Sequence, residues 1–198
     1  VVPHPKKLRR GQLSGNRFRI RLRELTPSDV ERVVERCTVV RERGVPNYYG
    51  PQRFGRDGQN LRAALTMFGG KRVRSRHLKG IYLSAARSAL FNHVLSTRVA
   101  DATWDRPLPG EAVIAEGARR SVAHRETREA RAGSLEAAFR ALAMHPTGPL
   151  WGRGASDCVG HCRAVETGWL TPFDALRSGL EAAGLTQERR ALRLPVGC

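Results

Sequence analysis

Acidic residues are scarce in this 198-residue chain: 18 Asp and Glu stand against 35 Lys and Arg, a formal net charge of +17. That imbalance points to a polyanionic partner, nucleic acid first. Lysine is scarce too. An Arg-rich codon bias explains Arg standing in for Lys, but not bases outnumbering acids about two to one. Aromatic residues make up only 6%, too few for a binder that grips single strands by stacking alone. No apolar run reaches the length of a membrane span, and the first residues lack the apolar core of a signal peptide, so the sequence reads as soluble and cytoplasmic. The cysteines are Cys37, Cys158, Cys162 and Cys198. Cys158-x-x-His161-Cys162 places three ligand types within five residues, but no distant pair completes a tetrahedron, so reduced thiols are expected rather than zinc. No repeat of 20–50 residues is present, which excludes a solenoid.

The informative stretch is Gly44-Val45-Pro46-Asn47-Tyr48-Tyr49-Gly50-Pro51-Gln52-Arg53-Phe54-Gly55. Proline fixes φ and glycine frees it, so this composition builds a shaped loop between two helices. An Arg with aromatic neighbours on such a loop suits a nucleotide's phosphate and base face.

Upstream, after a basic lead-in (Lys6, Lys7, Arg9, Arg10), residues 16–25 alternate. Phe18, Ile20 and Leu22 fall on one side; Arg17, Arg19, Arg21 and Arg23 fall on the other. That period predicts a strand with one buried and one cationic face. The cationic face is either solvated arginine or a surface for RNA. Asn16 shares the side of Phe18, where an amide needs partners. A helix over 27–43 follows, signalled by Thr26, Pro27 and Asp29 at its start and Gly44 at its end.

Further helices are predicted over 60–68, 81–99, 134–144, 155–167 and 171–184, the last opened by a second Thr-Pro-x-Asp. Residues 71–79 read as loop or helix lead-in, and Trp104–Glu126 as short strands or a hairpin. Arg87 and Arg98 put cations on the flanks of the 81–99 helix, and its lone His93 reads as structural. Pro146–Gly154 (PTGPLWGRG) reads as a second loop of the Gly/Pro/aromatic/Arg kind.

Leu8–Phe18, Gly44–Gly55, Tyr82–Asn92 (YLSAARSALFN), Pro146–Gly154 and Glu188–Val196 (ERRALRLPV) together resemble the TruD family of tRNA pseudouridine synthases. The matches are in order and cover essentially the whole chain. The resemblance implies an isomerase that converts a D-arm uridine of tRNA, position 13, to pseudouridine. It implies no cofactor and no metal, tRNA as the partner, and a target base that leaves the stack. It implies an α+β chain in which a mostly helical insertion domain is attached to a partial catalytic core of one strand and one helix. The boundaries are 1–43 for the core segment, 44–192 for the inserted domain and 193–198 for the return to the core.

Carried over residue by residue, Asn16 would hydrogen-bond near the catalytic carboxylate or the base, and Phe18 would line the pocket. Arg17, Arg19, Arg21, Tyr48, Arg53, Phe54 and Arg87 are the expected RNA contacts. Tyr49 stands where relatives often carry Phe. The family's catalytic Asp lies in a Gly-x-Lys-Asp segment that this sequence does not contain, and no other carboxylate here is assigned that role. The chain alone is therefore expected to be inactive as a synthase. The competing readings are a non-catalytic RNA-binding protein that keeps the family's tRNA-gripping surface, and a truncated, nonfunctional remnant whose half-core cannot fold by itself.

Overall fold

Thr26 starts the first helix. Its hydroxyl accepts from the Asp29 backbone N–H at 3.3 Å, and the Asp29 carboxylate accepts from the Thr26 N–H at 3.0 Å, a reciprocal capping box. The structure, a computed structural model, describes residues 17–118, 120–122 and 132–197. Helix α1 runs Pro27–Arg43. The chain divides into two compact units, Val1–Glu35 and Arg36–Cys198.

In the first unit the expected strand does not form: residues 17–25 join no ladder, and Phe18 and Ile20 are each 79% exposed. Alternation settles only which way side chains point. The backbone groups need a neighbouring strand, and among the described residues none pairs with this segment.

The second unit is built around α3, Arg76–Ala100. It starts earlier than the periodicity predicts, because Ser75 caps it within the basic run by accepting from Leu78 N–H at 3.3 Å. Ala85, Ala86 and Ser88 are buried along it and let neighbours approach closely. Against it lie α2 (Gln59–Phe68), α5 (Gly160–Leu170) and α6 (Asp174–Ala182). Ala64, Leu90, Val94, Leu170, Leu176 and Leu180 form their shared core.

A three-stranded antiparallel sheet of order β2-β3-β4 covers another part of α3: β2 is Val113–Ala115, β3 Met144–Leu150 and β4 Glu188–Ala191. Helix α4, Ala132–Arg140, leads into β3. Short strands β1 (Val45–Pro46) and β5 (Arg193–Leu194) pair antiparallel.

Four sequence expectations are corrected here. The helix predicted over 134–144 stops at Arg140, and the loop predicted from Pro146 is the second part of a central strand. Two prolines argue against a central strand. The conflict is resolved because β3 changes partner midway: residues 144–146 pair with β2 and residues 147–150 with β4. At the changeover the Thr147 N–H donates to the buried Glu111 carboxylate at 2.7 Å instead of to a strand. The Thr171 cap is also absent: its hydroxyl donates back to the Thr167 carbonyl at 3.0 Å, and Thr171–Phe173 is a 3-10 turn before α6. Helix α5 likewise begins at Gly160 rather than 155. The hairpin reading survives as an antiparallel bridge between Val113 and Val122; residues 123–126 lie outside the described residues.

Two buried ion pairs tie helices to sheet. Arg98 meets Glu111 at 3.0 Å with both side chains fully buried. Its remaining N–H groups go to the Thr103 and Arg106 carbonyls, and Glu111 also accepts from Leu108 N–H at 2.6 Å. Burial pushes the Glu111 carboxyl up, against the pull of Arg98. Arg189 grips Glu166 through both terminal nitrogens at 2.9 and 2.5 Å. Burial disfavours the Arg189 charge, but Glu166 outweighs it and raises the guanidinium above its ordinary value.

Candidate nucleic-acid interface

The 44–55 loop is anchored at several points. Gly44 takes φ 74°, and a Cβ there would lie 2.4 Å from the Leu194 carbonyl oxygen, so only glycine fits between α1 and β5. The Asn92 side chain on α3 accepts from Tyr49 N–H and donates to Tyr49 C=O, both at 2.9 Å. Asn47 donates from its side chain to the Ala191 carbonyl at 2.8 Å, and its backbone N–H reaches the Leu192 carbonyl at 2.8 Å. Pro51–Phe54 then closes as a 3-10 turn with proline at its start.

This anchoring presents a cationic and aromatic surface. Arg53 lies 5.1 Å from the Tyr49 ring centroid and donates to Ser84 Oγ at 2.7 Å. Arg190, from β4, lies 4.1 Å from the same ring and donates to Asn47 Oδ1 at 2.6 Å. Tyr49 in turn meets Phe91 edge-on at 5.5 Å. Tyr48 is 41% exposed, and with Tyr49, Gln52, Arg53, Asn60 and Arg190 it lines a cavity of about 450 Å³. Tyr49 and Arg190 also border a larger cavity of about 810 Å³ on the sheet side, which holds His145 and Glu116.

The expected contacts therefore separate. Tyr48 and Arg53 come together on one surface, with Phe54 half-buried beside them. Arg17, Arg19 and Arg21 are exposed in the other unit, with Phe18 exposed among them; Asn16 lies outside the described residues. Arg87 is turned to internal work, against the expectation of an RNA contact. Its guanidinium donates to the Trp151 and Leu150 carbonyls at 3.1 and 2.8 Å and to the Thr186 carbonyl, and it pairs with Glu188 at 3.2 Å. It clamps the 150–152 turn to α3. His93 packs against Phe173 at 4.6 Å, as a structural histidine does.

Sequence reasoning missed Arg190. The closing ERRALRLPV motif was visible, but a strand period would have been needed to separate the two arginines. Arg189 is buried toward Glu166, while Arg190 faces Tyr49. The Cys/His cluster is likewise resorted: His161 is exposed, and Glu166 joins Cys158 and Cys162 instead. That trio does not suit a cation. The carboxylate is already held by Arg189, and the Cys162 thiol is pushed far up by Cys158 and by burial.

The comparisons with known proteins point one way. Tyr48 to Gly55 falls within a match to the family model described as tRNA pseudouridine synthase D (TruD), which covers residues 1–67 and 59–175. A tRNA pseudouridine synthase D of Nitrosococcus oceani is 50% identical over 197 residues, covering 99% of this chain and 54% of its own length. One from Xanthomonas axonopodis pv. citri is 47% identical over 207 residues, 96% of this chain and 55% of its own. The chain thus spans about half the length of the curated relatives it matches. A crystal structure named for a tRNA pseudouridine synthase D of Methanosarcina mazei superposes with a TM-score of 0.60 at 16% identity, over 89% of this chain and 58% of that one, a likeness of fold. Among the described residues no helix is long and apolar enough to cross a membrane. On the extent of the family match, the chain belongs to the TruD family of tRNA pseudouridine synthases.

Proposed function

We propose that this chain is the tRNA-gripping part of a pseudouridine synthase that isomerises a D-arm uridine, position 13. Residues 44–192 act as the inserted domain and the 44–55 loop as its junction with the catalytic segment. The observation that carries the reading is the surface of Tyr48, Arg53 and Arg190 around a cavity large enough for a nucleotide, on a protein of net charge +17. Exposed Tyr48 supplies a stacking face and the arginines supply donors for phosphate. Phe54 supports the turn that carries Arg53. Arg17, Arg19 and Arg21 extend the positive field to the RNA backbone. The uridine chemistry needs a carboxylate in a Gly-x-Lys-Asp setting, and no carboxylate of this sequence has one.

The test is binding and turnover together. The purified 198-residue chain should bind tRNA with an affinity that falls steeply with salt, because each neutralised phosphate releases counterions. It should form no pseudouridine in that tRNA. Affinity that stays flat between low and moderate salt would remove the RNA reading, and pseudouridine found after incubation would overturn the assignment of the chemistry elsewhere.

A further inference from the structure

A third cavity, of about 380 Å³, opens where the 151–156 segment meets α5 and α6. Three arginines line it: Arg153, Arg163 and Arg177. They are not equivalent. Arg153 is committed to the end of α6, donating to the Glu181 carbonyl and, at 3.5 Å, to that of Ala182. Arg177 is held in place but left unused: its guanidinium lies 4.7 Å from the Trp151 ring centroid, and its Nε is buried without a hydrogen-bond partner. A guanidinium held over a ring loses little freedom on binding, and no hydrogen bond among the described residues uses the terminal N–H groups of Arg177, which lines the cavity and has them left for a ligand. Arg163 is exposed at the rim, and among the described residues no carboxylate pairs with it or with Arg177.

The acids nearby do not cancel this. Glu166 lines the cavity but is gripped by Arg189. Among the described residues lining the cavity, Glu181 remains the one opposing carboxylate, and it accepts from Trp151 Nε1 at 2.8 Å. Neutral donors face the same space. Ser156 Oγ accepts from Cys158 N–H at 3.2 Å, which leaves its own proton to donate. Gln187 Oε1 accepts from Gly152 N–H at 2.9 Å, which leaves its NH₂ group free.

We propose that this cavity is an oxyanion site that takes a backbone phosphate of the bound RNA, with Arg177 as the stacked donor and Arg163 as the rim contact. It rests on the RNA reading only for the source of the phosphate. No residue of the 44–55 loop lines it, and it shares no lining residue with the cavity of about 450 Å³ there. Two separated phosphate contacts would fix the orientation of a folded RNA, which one contact cannot do.

Two measurements on the full chain test it. In the first, inorganic phosphate is titrated in and the Arg177 Nε–H resonance is followed; it should shift saturably in the parent and only at higher phosphate in Arg163→Gln, and a resonance that phosphate leaves in place in the parent would overturn the proposal. In the second, tRNA affinity is measured against salt for the parent, Arg163→Gln and Arg177→Gln. Each substitution should lower the slope of log K against log salt by about 0.7 to 0.9, the share of one phosphate. Arg163 is exposed, so Arg163→Gln keeps the test valid if Arg177→Gln fails to fold. A parent that binds tRNA while both variants keep its slope and affinity would overturn the proposal and leave the RNA reading standing. A parent that fails to bind tRNA while phosphate still moves Arg177 would retain the oxyanion site and reject RNA as its source.

Discussion

Arg190 lies 4.1 Å from the ring centroid of Tyr49 and donates a 2.6 Å hydrogen bond to Asn47, residues separated from it by well over a hundred positions of sequence. One side chain thus joins the last sheet strand to both ends of the Asn47-Tyr48-Tyr49 segment. The same guanidinium is within 5.5 Å of the Phe91 ring on α3. The loop that carries Tyr48 and Arg53 is therefore held by β4 as well as by α3.

Arg190→Ala should lower stability by about 1–3 kcal/mol, the sum of a partly desolvated cation–π contact and one hydrogen bond. Urea denaturation of the chain reads the change. Arg190→Lys should restore only part of it, because an ammonium keeps the charge without the planar stack. Full stability in the Ala variant would mean that the Asn92 bonds to Tyr49 hold the loop unaided.

The Arg98–Glu111 pair predicts a larger effect. Arg98→Met leaves the Glu111 carboxylate buried with its counter-charge gone, at a cost of about 3–5 kcal/mol. Replacing both, as Arg98→Met with Glu111→Leu, should recover part of the loss by removing the orphaned charge. Thr147 N–H would still lack its acceptor, so recovery should be incomplete. Thermal unfolding of the two single variants and the double variant measures the coupling.

Gly179 predicts a steric effect. A Cβ on this α6 residue would sit 2.2 Å from the Phe68 ring of α2, too close for the two helices to keep their spacing. Gly179→Ala should cost about 1–3 kcal/mol through overpacking. Trimming the ring with Phe68→Leu should make the Ala less harmful, a coupling that a double-mutant cycle would expose.

What the sequence revealed follows from the range of each signal. Thr26 and Asp29 are three residues apart, so the capping box could be read directly and forms as read. Gly44 and Asn47 stood out by composition, yet what they touch, Leu194 and Ala191, comes from the far end of the chain. Residues 16–25 show the opposite failure: their alternation is clean, but a strand is a property of two segments, and no described segment pairs with this one. Pro146 and Pro149 misled because a strand that switches partners tolerates what a continuous ladder does not. Arg87 misled because a cation at a helix flank looks the same in sequence whether it faces solvent or three carbonyls.

His145 gives the pH prediction. Arg193 Nε can only donate, and it does so to His145 Nδ1 at 3.1 Å, so the proton of the neutral ring sits on Nε2 and is given to Glu116 at 2.7 Å. Burial disfavours the charged ring more than the Glu116 contact favours it, and Arg193 adds repulsion, so the pKa falls below 6.5. A histidine with a lowered native pKa binds its proton more readily in the unfolded chain. Its contribution is therefore complete above about pH 6.5 and lost as the pH falls toward the native value, at no more than about 1.4 kcal/mol per pH unit. Denaturation midpoints taken between pH 7.5 and 5 should decline for the parent and decline less for His145→Gln, which can accept from Arg193 and donate to Glu116 without titrating. Parallel curves for the two proteins would assign the acid sensitivity to other groups.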